Sequence, residues 1–149
     1  MTQSDIKKIV ENLIQTFLDA GKISIDLRKK GLTKEIKSDN TPVSNGDLEV
    51  NKILSKKILS LTPNIPIVSE ETSENKSKNN LENFWLIDPI DGTYDYINDL
   101  DEFTINAGLI IQKKPVAGLI YAPAKNRMFY SYGDDFSFEL INGEPIKLD

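Results

Sequence analysis

Residues 85–93 are Trp85-Leu86-Ile87-Asp88-Pro89-Ile90-Asp91-Gly92-Thr93, an apolar run that ends in two aspartates, a glycine and a threonine. The aromatic and branched residues at 84–87 predict a buried strand. Because Pro89 cannot donate to a ladder and Gly92 permits a sharp turn, we expect the chain to leave the sheet here. A short helix is predicted at 94–97. Two carboxylates therefore leave the end of one strand together.

A second acidic segment follows the short apolar run at residues 65–68, which ends in Ser69-Glu70-Glu71. Turn chemistry alone explains an Asp-Pro or Asp-Gly pair, but two strands that both end in acid can meet at one edge of a sheet. Adjacent carboxylates repel each other unless a cation holds them. Their oxygens suit Mg²⁺, and backbone N–H groups at a helix start suit phosphate. We therefore predict a metal and phosphate site, with structural ion pairs as the alternative.

The composition limits the class of protein. The 149 residues predict a single domain, and 39% hydrophobic with 28% charged residues is typical of a soluble globular protein. The absence of Cys and His excludes disulfides, thiolate ligands and imidazole chemistry. No membrane span or secretory signal is recognisable, so we expect a cytoplasmic protein. A net charge of −5 argues against binding to a nucleic-acid polymer.

The first predicted helix begins at a capping box of Thr2 and Asp5. Residues 23–27 also fit a strand, but helical spacing favours one helix to about Lys30, closed by Gly31. The apolar positions at helical spacing are Ile6, Ile9, Val10, Leu13, Ile14, Phe17 and Leu18.

A second helix is predicted from Ser44, because Asp47 stands three residues later as in a capping box. Residues 33–39 predict a short edge strand or a loop, and the polar residues 72–83 a mobile loop. After Thr93, alternating residues and turn signals predict sequential strands at 103–111, 116–121, 127–132, 136–141 and 145–148. The predicted fold class is α+β, with two N-terminal helices packed on an antiparallel meander sheet.

Four stretches of the sequence resemble the inositol monophosphatase superfamily. They are residues 37–47, residues 68–71, residues 85–93, and Glu102-Phe103-Thr104-Ile105-Asn106. Within that superfamily, the last stretch and residues 118–123 are most similar to the 3'(2'),5'-bisphosphate nucleotidase branch.

The resemblance implies roles for individual residues. The metal ligands would be Glu70, Asp88, Asp91 and the backbone carbonyl of Ile90, and the phosphate ligands would be the N–H groups of Gly92 and Thr93. The Thr93 hydroxyl and Asp47 would together polarise the attacking water, although Asp47 is also explained as a helix cap. Glu71 would either reach a further cation or face solvent. Lys37 would either balance an anionic site or be an ordinary surface lysine.

The resemblance also implies an activity. We expect a Mg²⁺-dependent phosphomonoesterase that hydrolyses adenosine 3',5'-bisphosphate to AMP and phosphate, with Mn²⁺ as an alternative cation and Li⁺ as an inhibitor. The alternatives are an inositol monophosphatase, a fructose-1,6-bisphosphatase, or a non-catalytic acidic interaction module. The expected partner is a small phosphorylated metabolite.

The sequence departs from the family pattern in three places. Ser44 and Gly46 stand where threonine and alanine are usual, and Tyr96 stands where phenylalanine is common. Family members also continue for roughly another hundred residues into an α/β domain with a further metal-binding aspartate, a length typical of a domain. We therefore expect residues 1–149 to be the N-terminal metal- and phosphate-binding domain, weak or inactive alone. An uncovered sheet face would favour a homo-oligomer or the missing C-terminal domain as its cover.

Overall fold

The computed structural model describes residues 1–69 and 81–149. The helices are α1 (Gln3–Lys30), α2 (Asn45–Leu61) and α3 (Thr93–Ile97), with a 3₁₀ turn at Pro123–Lys125. The strands are β1 (Lys34–Ile36), β2 (Pro42–Ser44), β3 (Ile67–Ser69), β4 (Phe84–Asp91), β5 (Thr104–Ile111), β6 (Lys114–Ala122), β7 (Arg127–Ser131), β8 (Ser137–Ile141) and β9 (Glu144–Lys147).

Local signals at their ends account for the two long helices. Thr2 and Asp5 form a capping box before α1, and Ser44 and Asp47 form another before α2. Gly31, at φ 97°, ends α1 in a backbone conformation that favours glycine. These contacts confirm both predicted helix starts and the end of the first helix.

The strands form a two-stranded β1–β2 hairpin and a seven-stranded sheet ordered β3-β4-β5-β6-β7-β8-β9. Every neighbouring pair from β4 to β9 is antiparallel, which confirms the predicted meander. β3 pairs with β4 in the parallel sense, with Ser69 opposite Ile87, so the two strands run towards the same edge of the sheet. The parallel direction of β3 was not predicted.

Helices α1 and α2 cover one face of the sheet. The large residues that fill this interface are fully buried: Leu13, Phe17, Leu54, Ile58, Trp85, Ile87, Phe103, Ile105, Leu109 and Leu119. The burial of Trp85 and Phe103 agrees with their positions in apolar runs. The other sheet face exposes Leu86 and Ile120 and carries a groove of about 430 Å³. Among the described helices, none is both long and apolar enough to cross a membrane.

The prediction that the chain leaves the sheet at Pro89 is wrong. β4 continues to Asp91, and its pairing with β5 passes from Asp88↔Asn106 to Asp91↔Thr104. Three steps along β4 therefore match two steps along β5, which is a β-bulge. A bulge tolerates the missing N–H of Pro89 because its extra residue stays outside the ladder.

The first meander turn is tighter than predicted. β6 begins at Lys114, and Pro115 pairs with Ile110, so the turn consists of Gln112 and Lys113 alone. Both residues have positive φ, 52° and 64°, as a two-residue hairpin turn requires. Pro115 lies at a second register irregularity, which again explains how a proline enters the sheet.

Candidate active site

Asp47 and Thr93, two predicted site residues, are in direct contact. The Thr93 hydroxyl donates to Asp47 Oδ1 at 2.8 Å and lies 3.2 Å from the Ile90 carbonyl oxygen. Because the shorter contact is to the carboxylate, the hydroxyl proton is directed mainly at Asp47. The lone pairs of Thr93 Oγ1 are then available to accept a hydrogen bond from a water.

The same aspartate caps α2. Its Oδ2 accepts from the Ser44 backbone N–H at 2.8 Å and from the Ser44 hydroxyl at 2.6 Å. Asp47 is 0% exposed, so bulk water does not reach its carboxylate. The donors named above come from the chain itself. Capping uses one oxygen and the Thr93 contact uses the other, which makes the two interpretations of Asp47 compatible.

The β-bulge brings Asp88 and Asp91 to the same face of the sheet. An odd separation of three residues would place them on opposite faces of a regular strand. Here they oppose Asn106 and Thr104, which are two residues apart on β5 and joined by a 2.9 Å hydrogen bond between their side chains. Two carboxylates and the nearby Ile90 carbonyl form a set of hard oxygen donors, which fits Mg²⁺.

Two openings adjoin these carboxylates. Asp88 lies at the border of the apolar groove on the uncovered sheet face. Asp91 and Gly92 line a smaller cavity of about 260 Å³. At the same cavity Lys125 donates to Glu102 at 2.6 Å, and Asp91 and Asp101 are the other charged residues of its lining.

Glu70 and Glu71 lie outside the described residues, and so does most of the segment predicted as a mobile loop. Ser69, which precedes them, donates to Asn51 Oδ1 at 2.6 Å. Asn51 is buried one turn after Asp47 on α2, so the end of β3 is tied to the helix that carries Asp47. Within residues 1–69 and 81–149, no cluster of three or more acidic side chains is able to hold a metal. The predicted metal site includes Glu70 and stays a prediction.

Lys37 lies in the turn between β1 and β2, where its N–H donates to the Thr41 carbonyl at 2.8 Å. The residue is half-buried, and the hairpin that contains it leads directly into α2. Its electrostatic role stays a prediction.

Sequence reasoning missed the contribution of Tyr96. It is fully buried, and its hydroxyl donates to the Ser24 carbonyl on α1 at 2.6 Å. Burial first, and the nearby Asp47 charge second, raise the pKa of Tyr96, although Arg28 opposes the change. The available signal was a tyrosine at a position where the family commonly has phenylalanine, since a buried hydroxyl requires a partner.

Thr104 and Asn106 belong to the stretch at residues 102–106, and the sequence alone did not assign them a place beside the two aspartates. Their polarity within the alternating strand, between buried Phe103, Ile105 and Ala107, was the signal that they lie on the sheet face that the helices do not cover.

The sequence profile of the inositol monophosphatase family matches residues 5–148, and the chain belongs to this family. It is 37% identical over 122 residues to a 3'(2'),5'-bisphosphate nucleotidase CysQ of Haemophilus influenzae, covering 80% of this chain and 45% of that protein. The chain spans about half the length of the curated relatives it matches.

Solved structures share the fold. The extragenic suppressor protein SuhB of Bartonella henselae has a TM-score of 0.80 at 22% identity, covering 95% of this chain and 55% of that one. An IMPase/NADP phosphatase in complex with Mg²⁺ and phosphate has a TM-score of 0.78 at 20% identity, covering 100% and 54%. At these identities the likeness concerns the fold alone, and it confirms the α+β class predicted from the sequence.

Proposed function

We propose that residues 1–149 form the metal- and phosphate-binding domain of a Mg²⁺-dependent phosphomonoesterase. The observation that carries the proposal is the hydrogen bond from Thr93 to the buried Asp47, which lies next to a bulge that aligns two carboxylates. The proposed substrate is adenosine 3',5'-bisphosphate, which would yield AMP and phosphate. The 37% identity to a bisphosphate nucleotidase supports this substrate over inositol or fructose phosphates.

The proposed cation ligands are Asp88, Asp91, the Ile90 carbonyl and Glu70. A bound Mg²⁺ would neutralise the phosphate and lower the pKa of a coordinated water. The chain contributes a fixed set of oxygens for this purpose, held by the β4–β5 ladder on both sides of the bulge. Glu71 is a candidate for a further cation, and Lys37 a candidate for balancing charge.

Thr93 and Asp47 would handle the proton of the attacking water. Thr93 Oγ1 accepts a hydrogen bond from the water while its own proton points to Asp47 Oδ1, 2.8 Å away. As the water oxygen bonds to phosphorus and the ester P–O bond breaks, Thr93 Oγ1 would take the water's proton and pass its own proton to Asp47 Oδ1, while the leaving alcohol oxygen would take a proton from solvent. The N–H groups of Gly92 and Thr93 would hold oxygens of the transferred phosphate.

The first test is a thermal shift with Mg²⁺. Ligand that binds only the folded state at 100 times its Kd adds about 2.7 kcal/mol, which raises the Tm of a domain this size by on the order of 5–10 °C. We expect Asp88→Asn to abolish the shift. The matched control is Asp134→Asn, which changes an exposed carboxylate on the turn after β7. An equal shift in both variants, or none in the wild type, would favour a non-catalytic acidic module.

The second test compares substrates. With Mg²⁺ present, binding of adenosine 3',5'-bisphosphate, inositol monophosphate and fructose 1,6-bisphosphate is measured by calorimetry. The proposal predicts the lowest Kd for the adenosine bisphosphate, Mn²⁺ as a substitute cation and competition by Li⁺. The isolated chain should turn over little substrate, so rapid phosphate release from it would contradict the proposed division between domains.

A further inference from the structure

Gly46 is a glycine inside the first turn of α2, where glycine is a poor helix former. Packing explains its presence. A Cβ at this position would lie 2.6 Å from Cε2 and 2.7 Å from Cζ of Tyr96, and closer still to the Tyr96 hydroxyl oxygen. The phenol of Tyr96 therefore occupies the volume that any side chain at position 46 would need.

Tyr96 is held in place from several sides. Its hydroxyl donates to the Ser24 carbonyl at 2.6 Å, its ring centroid lies 4.9 Å from that of Phe103, and the Arg28 guanidinium lies 5.7 Å from its ring. A fully buried ring with a short hydrogen bond cannot move aside for an added methyl group without losing that bond. The contact therefore fixes the distance between α2 and α3.

This contact lies next to the Asp47–Thr93 hydrogen bond. Gly46 immediately precedes Asp47, and Tyr96 follows Thr93 by three residues, which is the same face of α3. Both contacts thus join the same turn of α2 to the same turn of α3. We propose that Gly46 and Tyr96 are a positioning pair, which sets the separation at which the Thr93 hydroxyl reaches Asp47. The catalytic meaning of this pair rests on the proposed function, whereas the geometric claim does not.

The chain contains a matched contact elsewhere. A Cβ at Gly21 on α1 would lie 2.7 Å from Cδ2 of Tyr121 and closer still to its Cε2. This contact joins α1 to β6 and is also a helix glycine packed under a buried tyrosine ring. Gly21→Ala therefore reproduces the steric conflict at a glycine whose nearest neighbours are Tyr121 and Pro123, and it reaches Tyr96 only through Ser24 on the same helix.

The experiment uses Gly46→Ala, Tyr96→Phe, the double variant and Gly21→Ala. The first readout is the crystallographic distance from Thr93 Oγ1 to Asp47 Oδ1. It should exceed the hydrogen-bonding limit of about 3.5 Å in Gly46→Ala. It should return to the wild-type 2.8 Å in Gly46→Ala/Tyr96→Phe, because a ring without the Ser24 bond can shift. Gly21→Ala should lower the Tm and leave the distance unchanged.

The second readout is the Kd of inorganic phosphate in the presence of Mg²⁺. It should rise about tenfold in Gly46→Ala and recover in the double variant, as expected for a displaced site.

A wild type that binds no phosphate would refute the proposed function, and the crystallographic distance would still test the pair. An unchanged 2.8 Å bond in Gly46→Ala would overturn the inference. If Gly46→Ala does not fold, the double variant decides: a folded protein with the bond intact supports the pair, and failure to fold refutes it.

Discussion

Asp47 on α2 accepts a 2.8 Å hydrogen bond from the hydroxyl of Thr93 on α3, although 46 residues separate them in the chain. The carboxylate is fully buried, and Ser44 donates twice to its other oxygen. Removal of the Thr93 hydroxyl would leave one oxygen of a buried charge without that donor. The bond therefore contributes to stability as well as to the proposed proton transfer.

Thr93→Val should lower the free energy of unfolding by about 1–3 kcal/mol, because the variant keeps the shape of the side chain and deletes its donor. Thr41→Val is the control, since the Thr41 hydroxyl makes a similar bond to Asp39 at an exposed site. Urea denaturation of both variants measures the difference. An equal loss of unfolding free energy in the two variants would show that the burial of Asp47 does not strengthen its bond to Thr93.

Arg28 on α1 binds the segment that follows α3. Its side chain is only 11% exposed, it donates to the Leu100 carbonyl at 2.6 Å, and it lies 4.9 Å from the Phe103 ring. Arg28→Met should therefore reduce the free energy of unfolding by roughly 1–3 kcal/mol, because the carbonyl loses a charged donor. Arg28→Lys should recover little of it, since an ammonium does not reproduce the planar fork.

The control for Arg28 is Arg127→Met, which breaks a pair with Glu139 on the neighbouring strand in which the arginine side chain is 55% exposed. Exposed ion pairs contribute little to stability, so its urea midpoint should change only slightly. A larger loss at Arg127 than at Arg28 would contradict the anchoring role of Arg28.

Stability should fall at alkaline pH. Burial raises the pKa of Tyr96 above its ordinary value of 10.0, with the Asp47 charge as the second cause. Above about pH 10 the unfolded chain releases this proton while the folded chain retains it, so the free energy of unfolding decreases as pH rises. Burial also raises the pKa of Tyr121 and Tyr130, which makes the free energy of unfolding decrease more steeply with pH.

Tyr96→Phe should reduce, but not abolish, this decrease of the free energy of unfolding with pH. Urea denaturation at several values between pH 8 and pH 11 measures it for both proteins. An identical slope in the variant would mean that Tyr96 titrates alike in the folded and unfolded states.

Local chemistry explains what the sequence could predict. The two capping boxes and Gly31 determine where the long helices begin and where α1 ends, and alternation determines the meander. Pro89 was misjudged because a bulge, which needs the partner strand, removes the demand for its N–H. Parallel pairing of β3 likewise depends on a neighbour distant along the chain.

Tertiary contacts explain what the sequence could not predict. Gly46 and Tyr96 are two departures from the family pattern that lie 50 residues apart in the sequence, yet they touch in the folded chain. The Asp47–Thr93 bond was implied by resemblance, and no spacing rule reaches across 46 residues. The roles of Glu70 and Glu71 stay predictions, since both lie outside the described residues.

The most direct measurement of the central claim is a calorimetric titration of Mg²⁺, with and without inorganic phosphate, into the wild type and Asp91→Asn. Asp91 is exposed at the end of β4, so the substitution should leave the fold intact. The account predicts saturable Mg²⁺ binding that phosphate tightens and that Asp91→Asn eliminates. The absence of saturable binding in the wild type, or equal binding in the variant, would contradict a metal site at this end of β4.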